Sequence, residues 1–524
     1  MAFFSTAGHF LRLARAGFVL AREGVFVDVE PALLPAAARL PMAFARLIAR
    51  GGGALHTARL AVAISRLGPS YVKLGQFLAT RPDVVGPKIV RDLEFLQDRM
   101  EPFSQEIAEQ QVSKAFGRPL TDIYTSFGPS VAAASIAQVH RACVSDANGE
   151  RDVAVKVLRP GVQVRFARDL SDMYAAARFV QEHFPGADRL RPIEVVDTLE
   201  RSVRMEMDFR LEAAAASEFA ENVADDPDFR IPQVDWDRTT KEVLTLEWID
   251  GIPLTDLDAL ERAGHDLPRL GRIVIQSFLR HALRDGFFHA DMHQGNLFAD
   301  PQGRLVAVDF GITGRLGLKE RRFLAEILYG FITRNYRRVA EVHFEAGYVP
   351  ETFSVDDFAQ AVRAIGEPIH SRTADQISMA RLLTLLFEIT AIFEMKTRTE
   401  LVMLQKTMVV VEGVGRRLDP KLDLWSTAEP VVRSWIEENL GPRGKIEDFG
   451  RNLSAIARFA NDFPNVLLRG ERLVERLEKL SADGFDLSSK TVERIGRAEG
   501  QRARFGHVAL WAIAILLAIA IWLR

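Results

Sequence analysis

The chain has 524 residues, of which 48% are hydrophobic and 26% charged, with a formal net charge of −3. That length allows about two or three domains, and the charge balance leaves no basic footprint for nucleic acid. The single cysteine, Cys143, excludes an intramolecular disulfide framework and a cysteine zinc cluster, and it fits a reducing compartment.

Residues 1–22 carry three arginines and no acid. Their interrupted apolar residues (Leu11, Leu13, Ala14, Phe18, Val19, Leu20) predict an amphipathic helix, not a secretory signal. Such a helix packs on the protein, lies on a membrane, or serves as a mitochondrial transit peptide; packing or surface association is the favoured reading. Gly51-Gly52-Gly53 then breaks an Ala/Arg-rich region, and one helix is predicted from about Leu55 to Ala79. It holds Lys73 among Tyr71, Val72, Leu74, Phe77 and Leu78, and spacing alone reads Lys73 as a snorkelling surface lysine. Leu96 to Pro102 ends a further helix, and another runs from about Ser104 to Phe116.

The period then changes. Phe127 to Ala142 reads as a strand, a tight loop at Ala132-Ala133-Ala134-Ser135, and a second strand. A hairpin tip (Asp146, Asn148, Gly149) leads into Val153–Leu158, where Lys156 is the one charge in an apolar run. A lysine so placed suits the α- and β-phosphates of a nucleotide, in preference to an edge-strand gatekeeper. One helix is predicted over 195–216; on it Glu206 and Glu212 point to different faces, so that one can pair Lys156 while the other reaches Lys73. Val243–Gly251 is a strand entering a turn, where a two-lobed kinase places its hinge. The backbone at Glu247 and Ile249 would read adenine there.

The densest pattern follows. His289-Ala290-Asp291-Met292-His293-Gln294-Gly295-Asn296 precedes a polar turn (Asp300, Pro301, Gln302, Gly303) and then Asp309-Phe310-Gly311. The turn separates two short apolar runs, so a hairpin brings Asn296 and Asp309 to one end. Mg²⁺ takes hard oxygen ligands, which an amide and a carboxylate supply. In this reading Asp309 bridges metal to phosphate, Asn296 holds a second metal, and Asp291 faces the attacking hydroxyl or water.

Beyond Leu267 the chain is mostly helical, with an apolar helix over Leu404–Val414 that bears a polar stripe (Lys406, Thr407, Glu412) and amphipathic helices alternating over 418–500. Residues 508–523 carry no charge; with Gly506 and His507 they give eighteen residues. As a helix that is roughly 27 Å, enough to cross a bilayer core. Trp511 and Trp522 suit its interfaces, and Arg494, Arg497, Arg502 and Arg504 before it against Arg524 after it keep the main body cytoplasmic.

The chain resembles the UbiB/ABC1/ADCK family of atypical protein-kinase-like proteins. The resemblance rests on Lys73-Leu74-Gly75-Gln76, Ala132-Ala133-Ala134-Ser135, Val153-Ala154-Val155-Lys156, Glu206-Met207-Asp208, the His289–Asn296 stretch and Asp309-Phe310-Gly311, and covers about residues 60–420. It implies an α+β, two-lobed protein-kinase-like fold with a helical N-terminal extension and a C-terminal transmembrane helix. The expected layout is an extension over 1–110, an N-lobe over 111–250, a C-lobe over 251–420, a helical region over 421–505 and a membrane helix over 506–523. The resemblance further implies that Lys73 and Gln76 fold over the active site, that Lys73 pairs with Glu206, and that Glu212 is the partner of Lys156. Asp291 falls at the catalytic position, and Asn296 and Asp309 at the metal positions. ATP and Mg²⁺ binding, slow ATPase activity and a role in ubiquinone biosynthesis instead of protein phosphorylation follow by the same likeness. So do membrane lipids, quinone precursors and other ubiquinone-biosynthesis proteins as partners, at the cytoplasmic face of a bacterial inner membrane or, alternatively, at a mitochondrial inner membrane. Relatives often end in two membrane segments, whereas this chain has room for one.

A physical argument favours unusual nucleotide handling. Ordinary kinases place glycines where backbone amides approach phosphate, often at positive φ. Here Cβ atoms at Ala132, Ala133 and Ala134 restrict those conformations. Two competing readings remain. Small-molecule kinases share the His-x-Asp-x-His-x-Gly-Asn pattern, including His293 and Gly295, but lack the Lys73 motif and the alanine loop. A nucleotide-binding scaffold is disfavoured by the intact metal and phosphate positions.

Overall fold

The computed structural model describes residues 2–27, 43–49, 59–79, 101–146, 149–183, 191–369 and 399–440, with single positions among 85–96 and at 389 and 392–395. The chain divides into a unit of Met1–Leu440 and a second of Gly441–Arg524. The second lies outside the described residues, and with it most of the predicted 421–505 region and the predicted membrane helix over 506–523. Among the described residues no helix is long and apolar enough to cross a membrane.

The N-terminal part is helical: α1 (Ala2–Arg22), α2 (Arg59–Leu67) and α3 (Pro69–Ala79). The single helix predicted over 55–79 is thus two. Gly68 turns the chain at φ +103°, and Pro69 opens α3, where a missing N–H costs nothing. α4 (Gln105–Phe116) is stopped by Gly117 in the left-handed conformation.

A four-stranded antiparallel sheet follows, ordered β1 (Ser126–Ala133), β2 (Ala137–Asp146), β3 (Gly149–Leu158) and β5 (Val243–Glu247). Alternation sorts its faces. Val153, Val155 and Val157 join Val112 and Ile123 in one core, while Leu158, Leu244 and Leu246 face Phe166, Leu199, Phe209 and Ala213 in another. Lys156 lies on the second face. It sits on a strand paired on both sides, which excludes the edge-strand reading. The predicted alanine loop is shorter than expected, because Ala132 and Ala133 still pair with Val139 and Gln138 after bulges in β1.

α5 (Val162–His183), α6 (Pro192–Glu206) and α7 (Phe209–Asn222) cover that face. The helix predicted over 195–216 breaks at Met207-Asp208. There the Asp208 carboxylate accepts from Arg210 N at 3.2 Å and starts α7 afresh. α1 packs: Arg12 donates to both oxygens of buried Asp172 on α5 at 2.6 and 2.8 Å.

β4 (Phe229–Arg230) precedes β5, and β6 (Ile252–Pro253), α8 (Leu257–Arg262) and α9 (Leu267–Arg280) follow it. The segment with the predicted site residues Asp291, Asn296 and Asp309 runs through β7 (Phe287–His289), β8 (Leu297–Ala299), β9 (Leu305–Ala307) and β10 (Thr313–Arg315). β8 and β9 form the predicted hairpin, closed by Asp300 accepting from Gln302 N and Arg304 N at 3.0 and 2.9 Å. α10 (Leu318–Ile332), α11 (Tyr336–Glu345), α12 (Val355–Ile369), α13 (Thr399–Leu418) and α14 (Leu424–Leu440) complete the lobe. α9, α13 and α14 share one core through Ile275, Phe278, Val411, Leu418 and Val432. α4 packs on the N-lobe sheet through Val112, and α14 on the C-lobe core through Val432.

Candidate functional site

A cleft of about 2640 Å³ is lined by residues of both lobes, among them Lys73, Ala132, Ala133, Ala134, Lys156, Glu206, Glu212, Glu247, Ile249, Asp291, Asn296 and Asp309. Ser135 is the exception among the predicted site residues. It is wholly buried and does not line the cleft.

Lys156 is the centre of the charge pattern. Its Nζ lies 2.7 and 3.0 Å from the Glu212 oxygens and 3.0 Å from Asp309 Oδ1. Burial alone would lower the Lys156 pKa, but the two carboxylates override it and raise it. The carboxylates divide by environment. The Glu212 side chain is 7% exposed and that of Asp309 44%. Burial, with Asp309 as a like-charged neighbour, pushes Glu212 up to about 7 despite Lys156. For Asp309 burial is outweighed by Lys156 and, further off, Lys73, so it stays well below the usual range.

Lys73 pairs with Glu206 at 2.7 Å, and both side chains are almost buried. The spacing-based reading of Lys73 as a surface lysine is therefore corrected: α3 packs on α5 and α6, and a lysine there needs its partner. Gly75 on α3 instead makes room for Leu96, because a Cβ there would lie 2.3 Å from Leu96 Cδ1. The pairings Lys73–Glu206 and Lys156–Glu212 are those implied by the family likeness.

The loop bearing Asp291 is set by hydrogen bonds. Asp291 N–H donates to His289 Nδ1 at 3.0 Å, so the ring proton is on Nε2, which donates to Val308 O at 3.0 Å. Burial lowers the His289 pKa and keeps it neutral. Asn296 Nδ2 donates to Asp291 O at 3.1 Å, so its amide oxygen is the atom that would meet a metal. Val308 N donates to Asn296 O at 2.9 Å, which places Asp309 beside Asn296. Asp309 holds φ +63°, a conformation an aspartate tolerates at modest cost and one typical of functional sites. Among the described residues no three His, Cys, Asp or Glu side chains form a closed metal cage. One carboxylate and one amide oxygen facing an open cleft suit Mg²⁺, which retains water and phosphate ligands.

At the hinge, β3 bonds to Leu246 and Trp248, so the backbone groups of Glu247 face away from it. Its N–H is taken by Gln233 O at 2.8 Å, and its side chain by Arg230 at 3.0 Å. Glu247 and Ile249 both line the cleft. Two arrangements have no clear trace in the sequence. Thr407 on α13 donates to Ala290 O at 3.0 Å, and Asp226 gathers Arg280, His281 and Arg284. The first leaves only a polar residue within an apolar helix.

Comparison with known proteins gives the family. The profile of the ABC1 atypical kinase-like domain matches residues 95–343, and that of the UbiB helical domain matches residues 362–423. A protein of Marinobacter nauticus named probable protein kinase UbiB is 40% identical over 414 residues, which is 78% of this chain and 75% of that one. One of the same name from Xanthomonas campestris pv. campestris is 38% identical over 471 residues, 87% of this chain and 84% of that one. A solved structure titled as the complex of Rv3197 with erythromycin from Mycobacterium tuberculosis is 25% identical, covers 72% of this chain and 94% of its own, and superposes with a TM-score of 0.48. The chain belongs to the UbiB family of ABC1 atypical kinase-like proteins.

Proposed function

We propose that the chain binds ATP with Mg²⁺ and hydrolyses it slowly in support of ubiquinone biosynthesis, at the membrane surface of a bacterial cell. The carrying observation is the pair of lysines on one cleft, Lys156 between Glu212 and Asp309, and Lys73 on Glu206. Lys156 would hold the phosphates, and Asp309 and Asn296 the metal. Bound Mg²⁺ would neutralise phosphate charge, and Asp291 would orient the attacking water.

Two features favour a small, partly apolar ligand over a protein acceptor. Lys73, Gln76 and Phe77 of α3 line the cleft that a peptide would need. Val131, Met205, Leu211 and Ile312 also line it, and all four are exposed. An apolar rim of this kind suits a lipid or quinone precursor. Transfer to such an acceptor is the second reading, favoured by the same rim.

The test is ATP hydrolysis by the full chain, with and without anionic liposomes and a prenylphenol. Slow turnover that liposomes or the phenol raise is expected, with phosphate released to water. Asp309→Asn is expected to lose turnover by roughly a hundredfold or more. Phosphate found on the phenol would favour the second reading, and peptide phosphorylation at ordinary kinase rates would overturn both.

A further inference from the structure

Thr407 lies on α13, in the segment matched by the UbiB helical domain, far along the chain from the matched kinase-like domain. Its side chain is 1% exposed. A threonine inside a helix ordinarily bonds back to the carbonyl four residues earlier, and Thr407 does so with Met403 O at 2.8 Å. The same single hydroxyl proton is shared with Ala290 O at 3.0 Å, across 117 residues of sequence. That second contact is not needed by the helix.

The Ala290 carbonyl and the Asp291 N–H belong to one peptide unit, which is planar and turns as a body. Thr407 holds its oxygen. His289 Nδ1 holds its hydrogen at 3.0 Å. His289 is in turn fixed through Nε2 to Val308 O. The plane that leads into the Asp291 α-carbon is therefore gripped at both ends, by groups that come from two separately matched domains. The Asp291 side chain itself is 36% exposed, and among the described residues its ion-pair neighbour is His293, with Nε2 3.7 Å away.

We propose that Thr407 is a positioning residue for Asp291, so that the helical domain supplies part of the catalytic geometry. This rests on the ATP-hydrolysing reading above. Displacing a reacting group by a fraction of its bond length costs rate without altering how nucleotide binds, because the Lys156 side of the cleft is untouched.

The experiment compares Thr407→Val, which keeps the shape and loses the hydroxyl, with Thr407→Ser, which keeps the hydroxyl. Both are made in the full chain. Thr407→Val is expected to lower kcat for ATP by roughly ten- to a hundredfold, with KM within about twofold. Thr407→Ser is expected to stay near the parent. Amide hydrogen exchange over 287–297, read by mass spectrometry, should rise in the valine variant and not in the serine variant. Thr407→Ala carries the same contrast if valine unsettles the fold. A valine variant with parental kcat and parental exchange overturns the proposal, as does a serine variant no better than valine. If the parent chain hydrolyses no ATP, the function proposed above fails. The exchange contrast still decides whether Thr407 holds the peptide.

Discussion

Replacing Lys156 with methionine is expected to cut ATP turnover by roughly two to three orders of magnitude and to abolish stabilisation by Mg·ATP. Lys156 stands on β3 between two paired strands, with its ammonium 5.5 Å over the Phe209 ring and shared by Glu212 and Asp309. Methionine keeps the stem and removes the charge. The two carboxylates are then left facing each other. Glu212, already raised to about 7 by burial, rises further once its cation is gone. The sign of the pH effect follows. A carboxyl more basic in the folded than in the unfolded chain, where 4.5 is its ordinary value, takes up a proton on folding. Its contribution is intact below that ordinary value and is lost as pH rises through the folded value. The variant should therefore melt progressively below the parent as pH is raised from about 6 to about 8, and the gap should narrow towards about pH 5. Melting curves at several pH values check this. A gap independent of pH, or turnover within about tenfold of the parent, would sink the assignment of Lys156.

Legibility in the sequence followed the range of the interaction. Local signals worked: alternating valines gave β3, Asp300 to Gly303 gave the β8–β9 turn, and the hairpin carried Asn296 and Asp309 together. Helix breaks were missed where apolar periodicity ran on through them. Gly68-Pro69 and Met207-Asp208 interrupt what the period presents as single helices, because φ at Gly68 and the cap at Asp208 act on one residue each. Pairing was the other gap. Spacing placed Glu206 and Glu212 on different faces of one helix; they lie on two, and each meets a lysine brought from a distant segment. For Lys73 the family motif held the answer that spacing lacked. Thr407 and Asp226 act through contacts that join segments 117 and 55 residues apart, and no local pattern records those.

Asp226 is where a loss of stability separate from the nucleotide site is expected. The residue follows α7 and is 5% exposed at its side chain. Arg284 donates to it at 2.6 Å, and Arg280 and His281 lie 3.3 Å away, on the end of α9 and the π-turn His281–Asp285 that follows. His281 is itself wholly buried, edge-on to Phe219 and Phe229, and Phe219 packs on Phe310 of the Asp-Phe-Gly segment. The carboxylate thus ties the α7 end to the helix beneath the catalytic loop. Removing it strands the buried His281 imidazole and leaves Arg280 and Arg284 with Asp228 and Asp285 alone, at 3.1 and 2.6 Å. Breaking a buried pair in this way costs about 3–5 kcal/mol, so Asp226→Ala should lower the melting temperature by roughly 5–15 °C. Nucleotide affinity in the folded fraction should hold, since none of these groups lines the cleft. The pH dependence runs opposite to that of Lys156→Met. Burial would raise the Asp226 pKa, but His281, Arg284 and Arg280 outweigh it and hold it well below its ordinary 3.8. A depressed carboxyl stabilises the fold above its unfolded pKa and loses that contribution as pH falls. The gap between parent and variant should therefore be full at neutral pH and shrink below about pH 4. A gap that persists undiminished at about pH 3, or one under about 1 kcal/mol at neutral pH, would mean that Asp228 and Asp285 suffice for Arg280 and Arg284 and that Asp226 is not the tie.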